Sequence, residues 1–499
     1  MAERKGAWCV LAAALCSLTL AIALLGFRDL PMLDLPQHAV QVATWARWNE
    51  LSSADRDALE LNLRTPYLLA YPVARALSLA FGVLVSLKLI VLLAALGNVF
   101  ALWHLARRVG HSPWLCLLGF PLTFGFSFYC GFVSFLLATP LVVLVLGTAF
   151  GHAKRPGWSS GLALGALLCL TLVAHGFAAA IAVSIAVPLL ILGPIRGLPR
   201  RVAPLFAPVL LALLWLTPTL KSPALYDYSI PPGRTYQWLA MIAGPGSFKD
   251  VAAIYVAVAI AVLLAIHLGR PSKTLGRFGP LAVVLAGYSL TPQLFWGTAF
   301  LHERLVAFVL PALMLAFEPR RTWARLEQLG AALVLVVCAG WFTLFSTRLA
   351  GFNREMADYH ALADELPAGL RIRPLIFQRD SRAFPGTPAY LHVSAYYHAA
   401  NGGIPAYSFA VNPSAVIRYK DGHSSTLAPG MEWVAERFDA SREAELYDYF
   451  LVRGEPTNRE LFANSPVPIL LDACRGSFCG YSRAALLTAR PLWRDEANP

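Results

Sequence analysis

Charge is scarce in this chain. Of its 499 residues, 14% are Asp, Glu, Lys or Arg, against about 25% in an ordinary soluble protein, and this shortage excludes a water-soluble globular fold. Acids are the rarer sign, 29 against 41 bases, for a net charge of +12. No GxxxxGK[ST] phosphate loop or GxGxxG turn occurs, and no Ser stands on a strand-to-helix nucleophile elbow, so ATP-driven transport and serine hydrolysis find no support. The eight cysteines lack the CxxC and His spacing of a structural zinc site, and no metal ligand set is indicated.

What the chain has in abundance is apolar length. Residues of the AVILMFWYC set make up 57% and the mean hydropathy is +0.57. Runs of about 20 such residues, each closed by Arg or Lys, match a hydrocarbon core of ~30 Å crossed by helices. The class is a polytopic α-helical membrane protein of about eleven transmembrane helices, at roughly 7–26, 84–105, 113–127, 131–150, 159–174, 177–194, 203–220, 251–268, 278–294, 303–318 and 328–347.

The surplus of positive charge lies in the membrane part. Residues 1–351 hold 26 Lys+Arg and 12 Asp+Glu, whereas 352–499 hold 15 and 17. A nucleic-acid partner is therefore not indicated, and the surplus fits the retention of Lys and Arg in short cytoplasmic loops. With the N-terminus inside, the inner loops carry Arg107/Arg108, Lys154/Arg155, Arg196/Arg200/Arg201, Arg270/Lys273/Arg277 and Arg320/Arg321/Arg325. This topology puts 27–83, 221–250 and the C-terminal tail on the outer face of a bacterial cytoplasmic membrane. The first segment, after Arg4 and Lys5, reads as an uncleaved anchor, with a signal peptide as the alternative. The stretch 65–81 is apolar, but counting it as a crossing would reverse every later loop. Its Pro66, Pro72 and Arg75 suit an interfacial helix.

Two domains follow: 1–351, transmembrane, and 352–499, extracytoplasmic. The second has strand-like runs at 375–377, 389–393, 447–452 and 468–471 and a helical stretch at 431–437, the pattern of a small α/β domain. Six cysteines sit in or beside apolar helices as small core residues. Cys474 and Cys479, alone in the tail, have the spacing of a short disulfide loop for an oxidising compartment, with free thiols as the alternative.

The first outer loop is the most informative segment. In Asp34-Leu-Pro36-Gln-His38-Ala, Pro36 fits the first turn of a helix and Asp34 the position before it. His38, four residues on, shares its side. Two readings of Asp34 stand open: a carboxylate capping backbone N–H groups, or a carboxylate at the membrane surface that takes a proton from an acceptor hydroxyl.

The layout of one crossing, Asp-x-Pro-x-His-Ala, then Pro66-Tyr67-Leu68, then a crossing that ends in Leu105-Ala106-Arg107-Arg108, resembles the GT-C superfamily of polyprenyl-phosphate-sugar-dependent glycosyltransferases. Its nearest likeness is to the aminoarabinose transferase and protein O-mannosyltransferase branch. The resemblance implies surface helices and an acidic catalytic residue in the first outer loop, where Asp34 stands with His38 beside it. It also implies a polyprenyl-phosphate-linked sugar as donor, a lipid, glycan or protein acceptor, and an outer C-terminal domain. Many members pair two acids, whereas here Leu35 follows Asp34 and the nearby carboxylates are Asp29, Asp55 and Asp57. Beyond the lipid-linked donor, a divalent metal is the one further cofactor left open, and no residues in the sequence support it.

An anionic lipid headgroup needs cations at the outer face. The candidates are Arg304 with His302 and Glu303, Lys249, and Arg234 in the loop 221–250, whose Tyr228 and other aromatics suit sugar rings. Each has a plainer reading as an interfacial anchor or a local ion pair. His175, in a tight outer turn, and the run Tyr390, His392, Tyr396, Tyr397 and His398 read more simply as packing. The rivals to a glycosyltransferase are a transporter or flippase, which would show paired charges or broken helices at the midplane, and a non-enzymatic envelope-assembly protein with a partner-binding tail.

Overall fold

The computed structural model describes residues 2–192, 197–216, 269–295, 298–319, 324–454 and 461–483. The expected crossing at 251–268 and the candidates Tyr228, Arg234 and Lys249 lie outside the described residues. The chain forms two compact units, one of Met1–Phe27 and Asn62–Arg348, the other of Arg28–Leu61 and Leu349–Pro499. The first outer loop, grouped with the membrane part in the sequence reading, thus divides at Leu61. Its head, Arg28–Leu61, packs with the C-terminal segment.

The first unit is helical. Among the described residues, five helices are long and apolar enough to cross a membrane: Ala7–Gly26, Val83–Val109, Val133–Lys154, Leu198–Trp215 and Glu327–Ala363. Pro113–Tyr129, Trp158–Ala174, Gly176–Ile191 and Gly279–Leu290 are shorter and equally apolar. Val133–Lys154 is the axis of the unit: it packs on Val83–Val109, Trp158–Ala174 and Gly176–Ile191 and buries nearly its whole surface.

Two expected crossings are not single helices. Pro113–Leu118 is a 3-10 turn followed by the short helices Gly119–Thr123 and Phe126–Tyr129, broken where Pro and Gly remove donors or free the backbone. The run 303–318 divides into Leu301–Leu305, Val306–Phe308 and Val309–Ala316. There Pro311 supplies no N–H to the turn before it. In 65–81 the helix is Ala70–Phe81, 12 residues or about 18 Å at 1.5 Å per residue, too short to cross. Gly82 separates it from Val83–Val109 with φ +76°, a conformation that strains any residue with a Cβ.

The second unit holds a four-stranded sheet in the order Ile372–Ile376, Tyr449–Arg453, Phe478–Arg483, Ile469–Arg475. The first pair is parallel and the others antiparallel. Leu375, Tyr447, Phe450, Val452 and Tyr481 form its core. Cys474 lies opposite Cys479 in the last hairpin, and the two form a disulfide. A second, two-stranded sheet pairs Leu59–Leu61 with Ile417–Tyr419.

The run 389–393 is not a strand. Its backbone makes local turns, Leu391 N donating to Pro388 O and Val393 N to Tyr390 O, although its apolar residues are buried as a strand's would be. The stretch 431–437 is two 3-10 turns, Met431–Trp433 and Ala435–Arg437.

Candidate active site

The helix Leu35–Ala46 begins with Pro36 in its first turn, where a missing N–H costs nothing. Gln37 and Gln41, four apart, project from one side and act as backbone surrogates. Gln41 Nε2 donates to Ile417 O at 2.9 Å and its Oε1 accepts from Ile417 N at 2.8 Å. Gln37 Nε2 donates to Tyr407 O at 2.9 Å and its Oε1 accepts from Phe409 N at 3.2 Å. At the far end, Arg47 donates to the carbonyls of His398, Ala399 and Ala400. It thereby satisfies the exposed end of helix Ala395–Asn401, where a cation suits the dipole.

This clamp fixes Asp34. The residue stands at the N-cap position, yet its side chain makes no capping hydrogen bond to the helix backbone. Its Oδ1 instead lies 3.5 Å from Nε2 of His392, with the carboxylate 15% exposed and the imidazole 5%. His392 stacks on Tyr407, centroids 5.5 Å apart, and meets the edge of Phe409 at 5.9 Å. His38 is buried and packs its own edge on Phe409 at 5.6 Å. Burial pushes the His392 pKa down to about 3, and His38 acts in the same direction. The imidazole is therefore neutral, and an Nε2 proton facing a carboxylate is the arrangement that satisfies both groups. Burial raises the Tyr407 hydroxyl, with Glu432 and Asp34 adding to the shift.

A second acid of the same loop is deeply buried. Asp29 Oδ2 is 2.8 Å from His360 Nε2. Asn353 holds the Asp29 backbone from both sides, Oδ1 accepting from its N and Nδ2 donating to its O. Asp55 and Asp57 belong to the short surface helix Ser53–Ala58, none of whose residues is buried.

In the membrane unit, His302, Glu303 and Arg304 are all buried on the short helix Leu301–Leu305. Arg304 Nη1 donates to His175 Nε2 at 3.0 Å and Nη2 to Ala299 O at 3.0 Å, and its guanidinium lies 3.7 Å from the Phe132 ring centroid. His302 Nδ1 is 2.9 Å from Glu303 Oε2. Glu303 also lines a small cavity with Asn98, Thr123, Ser127 and Thr139 among its walls. Phe300, just before this helix, has φ +57° and is the one non-glycine residue in the left-handed region among those described. Such strain persists where surrounding contacts enforce it, often at functional sites; here the rings of Phe126 and Phe132 pack on Phe300.

Sequence reasoning missed Lys88 and His360, and took His392 as packing. Lys88 is buried and donates Nζ to Phe27 O at 2.6 Å. A lone ammonium inside an apolar run was a visible signal. His392 and His360 carried no such mark, because only the fold brings them to the first loop. Among the described residues, no group of three or more His, Cys, Asp and Glu side chains is placed to hold a metal ion.

Scans against protein-family models and curated protein sequences give no match. A search of solved structures matches the crystal structure of ArnT from Cupriavidus metallidurans bound to undecaprenyl phosphate. The TM-score is 0.57 at 14% identity, over 95% of this chain and 98% of that one. The fold is like that of ArnT. At this identity the likeness speaks for the fold alone.

Proposed function

We propose that this chain is an integral-membrane glycosyltransferase of the bacterial cytoplasmic membrane. It moves a sugar from a polyprenyl phosphate donor to a lipid, glycan or protein acceptor on the outer face. The observation that carries this reading is the ArnT-like fold over 95% of the chain, since the ArnT structure holds undecaprenyl phosphate.

Asp34 is the general base. Its carboxylate makes no capping bond in its own helix, and the imidazole beside it is neutral, so no cation at that contact offsets its basicity. The acceptor hydroxyl gives its proton to Asp34 as its oxygen bonds to the anomeric carbon. The bond from that carbon to the phosphate oxygen breaks, and the lipid phosphate leaves with the electron pair. His38 assists by shaping the wall on the same side of the helix. Charge grows on the departing phosphate, so cations fixed in advance lower the barrier. For the donor phosphate the candidates are Arg304, Lys249, Arg234 and Tyr228. Glu303, with His302 at its side, is a further candidate for contact with the sugar hydroxyls.

The test is transfer of radiolabelled sugar from undecaprenyl-phosphate-linked monosaccharides to endogenous acceptors. Membranes containing the chain are compared with membranes lacking it. Chain-dependent incorporation supports the reading, and identical incorporation in both membranes with every donor contradicts it.

A further inference from the structure

The Asp34–His392 contact carries an inference that rests on the proposed function and deepens it. Asp34 lies where a cap residue belongs, and a carboxylate at a helix N-terminus ordinarily turns back to accept the first free N–H groups. This one does not. What lies beside it is the imidazole of His392, brought by the turn 388–394 and held flat on Tyr407. That ring has little freedom: Tyr407 covers its face, Phe409 closes its edge, and the backbone of both residues is pinned by Gln37 from the same helix that carries Asp34. The helix and the imidazole are thus registered to each other by a hydrogen-bonded clamp.

We propose that His392 is a positioning residue for Asp34: its Nε2 hydrogen draws the carboxylate away from the helix end and keeps it ionised to receive the acceptor's proton. The titratable groups facing His392 are Asp34 and His38 on the helix Leu35–Ala46 and Tyr407 on the adjoining segment, with Glu432 behind Tyr407. Of these, only the Asp34 carboxylate is both within 3.5 Å and able to accept from Nε2 as an anion. A neutral histidine donates one hydrogen bond and keeps the carboxylate basic. A lysine or arginine at that place would depress its basicity and spoil it for proton removal.

The experiment labels the full-length protein in detergent with a carbodiimide, which reacts with protonated carboxyl groups, and follows the Asp34-containing peptide by mass spectrometry across pH. Wild type is compared with His392→Phe, which keeps a flat ring and no donor, and with His392→Gln, which keeps a non-titrating N–H. Loss of one hydrogen bond to the ionised form should raise the Asp34 labelling midpoint by about one pH unit in His392→Phe, with His392→Gln restoring most of it. Where His392→Phe does not accumulate, His392→Leu tests the same point. An equal midpoint in wild type and the donorless variant overturns the proposal. If that occurs while Asp34→Asn still loses sugar transfer, the positioning role falls and the glycosyltransferase reading stands. A raised midpoint beside full transfer in Asp34→Asn removes Asp34 from the chemistry and overturns the positioning role with it, while the glycosyltransferase reading stands.

Discussion

Asp34 and His392, far apart in sequence, approach to 3.5 Å because two glutamines one helical turn apart tie the first loop to the C-terminal segment. The acid, which makes no side-chain cap bond to the helix it precedes, is thereby given a partner that sequence spacing does not reveal. Each consequence of this arrangement is open to measurement.

Gln41 occupies both the N–H and the C=O of Ile417. Gln41→Leu leaves two buried backbone groups without partners, at a cost of about 2–3 kcal/mol or more. The expected result is faster proteolysis within 28–61 in the folded protein, whereas Asp55→Asn on the exposed helix leaves the rate unchanged.

His392 and His398 are held neutral by burial, at about 3 and about 4, below the 6.5 of a free imidazole. The unfolded chain takes up a proton on each as pH drops below about 6.5, which the folded chain refuses until near 4 and 3. The stability from keeping them neutral is therefore full above pH 6.5 and is lost as pH falls through this window, by at most about 1.4 kcal/mol per pH unit for each histidine. Thermal unfolding between pH 7 and 4.5 should show the decline. His392→Phe should have a shallower pH dependence than wild type.

Arg304 divides its guanidinium between His175, the Ala299 carbonyl and the Phe132 face. A lysine has one point charge and no planar fork to serve all three. Arg304→Lys should therefore raise the KM for a lipid-phosphate donor about as much as Arg304→Ala does, by tenfold or more if the group holds a phosphate through a charge-assisted bond. Equal KM in wild type and both variants would remove Arg304 from donor binding.

The Cys474–Cys479 bridge closes a very short hairpin loop, for which the chain-entropy model gives about 2 kcal/mol. The double Ser variant should unfold at a lower temperature. In intact cells the wild-type pair should resist maleimide until reductant is added, as expected in an oxidising compartment.

Much of the architecture was legible because lipid imposes a simple pattern. Long apolar helices such as Val83–Val109 and Val133–Lys154 leave a continuous hydrophobic run, and basic residues mark its end. The broken segments around 113–129 and 301–316 were harder, since composition alone does not distinguish a short 3-10 turn packed in protein from a helix in lipid. The run 389–393 is buried like a strand, but its backbone bonds close locally, and apolar content carries no record of that. At the site, the helix start at Pro36 and the acid before it were visible locally. The choice between cap and base was not, because it depends on His392, Tyr407 and Phe409 meeting from another part of the chain.

The most direct test of the central claim compares wild type with Asp34→Asn in sugar transfer from undecaprenyl-phosphate-linked donors, with expression and unfolding temperature matched. Removal of a general base should lower the rate by about 10²–10⁴-fold while the near-isosteric side chain leaves the fold intact. Transfer at the wild-type rate in Asp34→Asn would contradict the account and remove Asp34 from the chemistry.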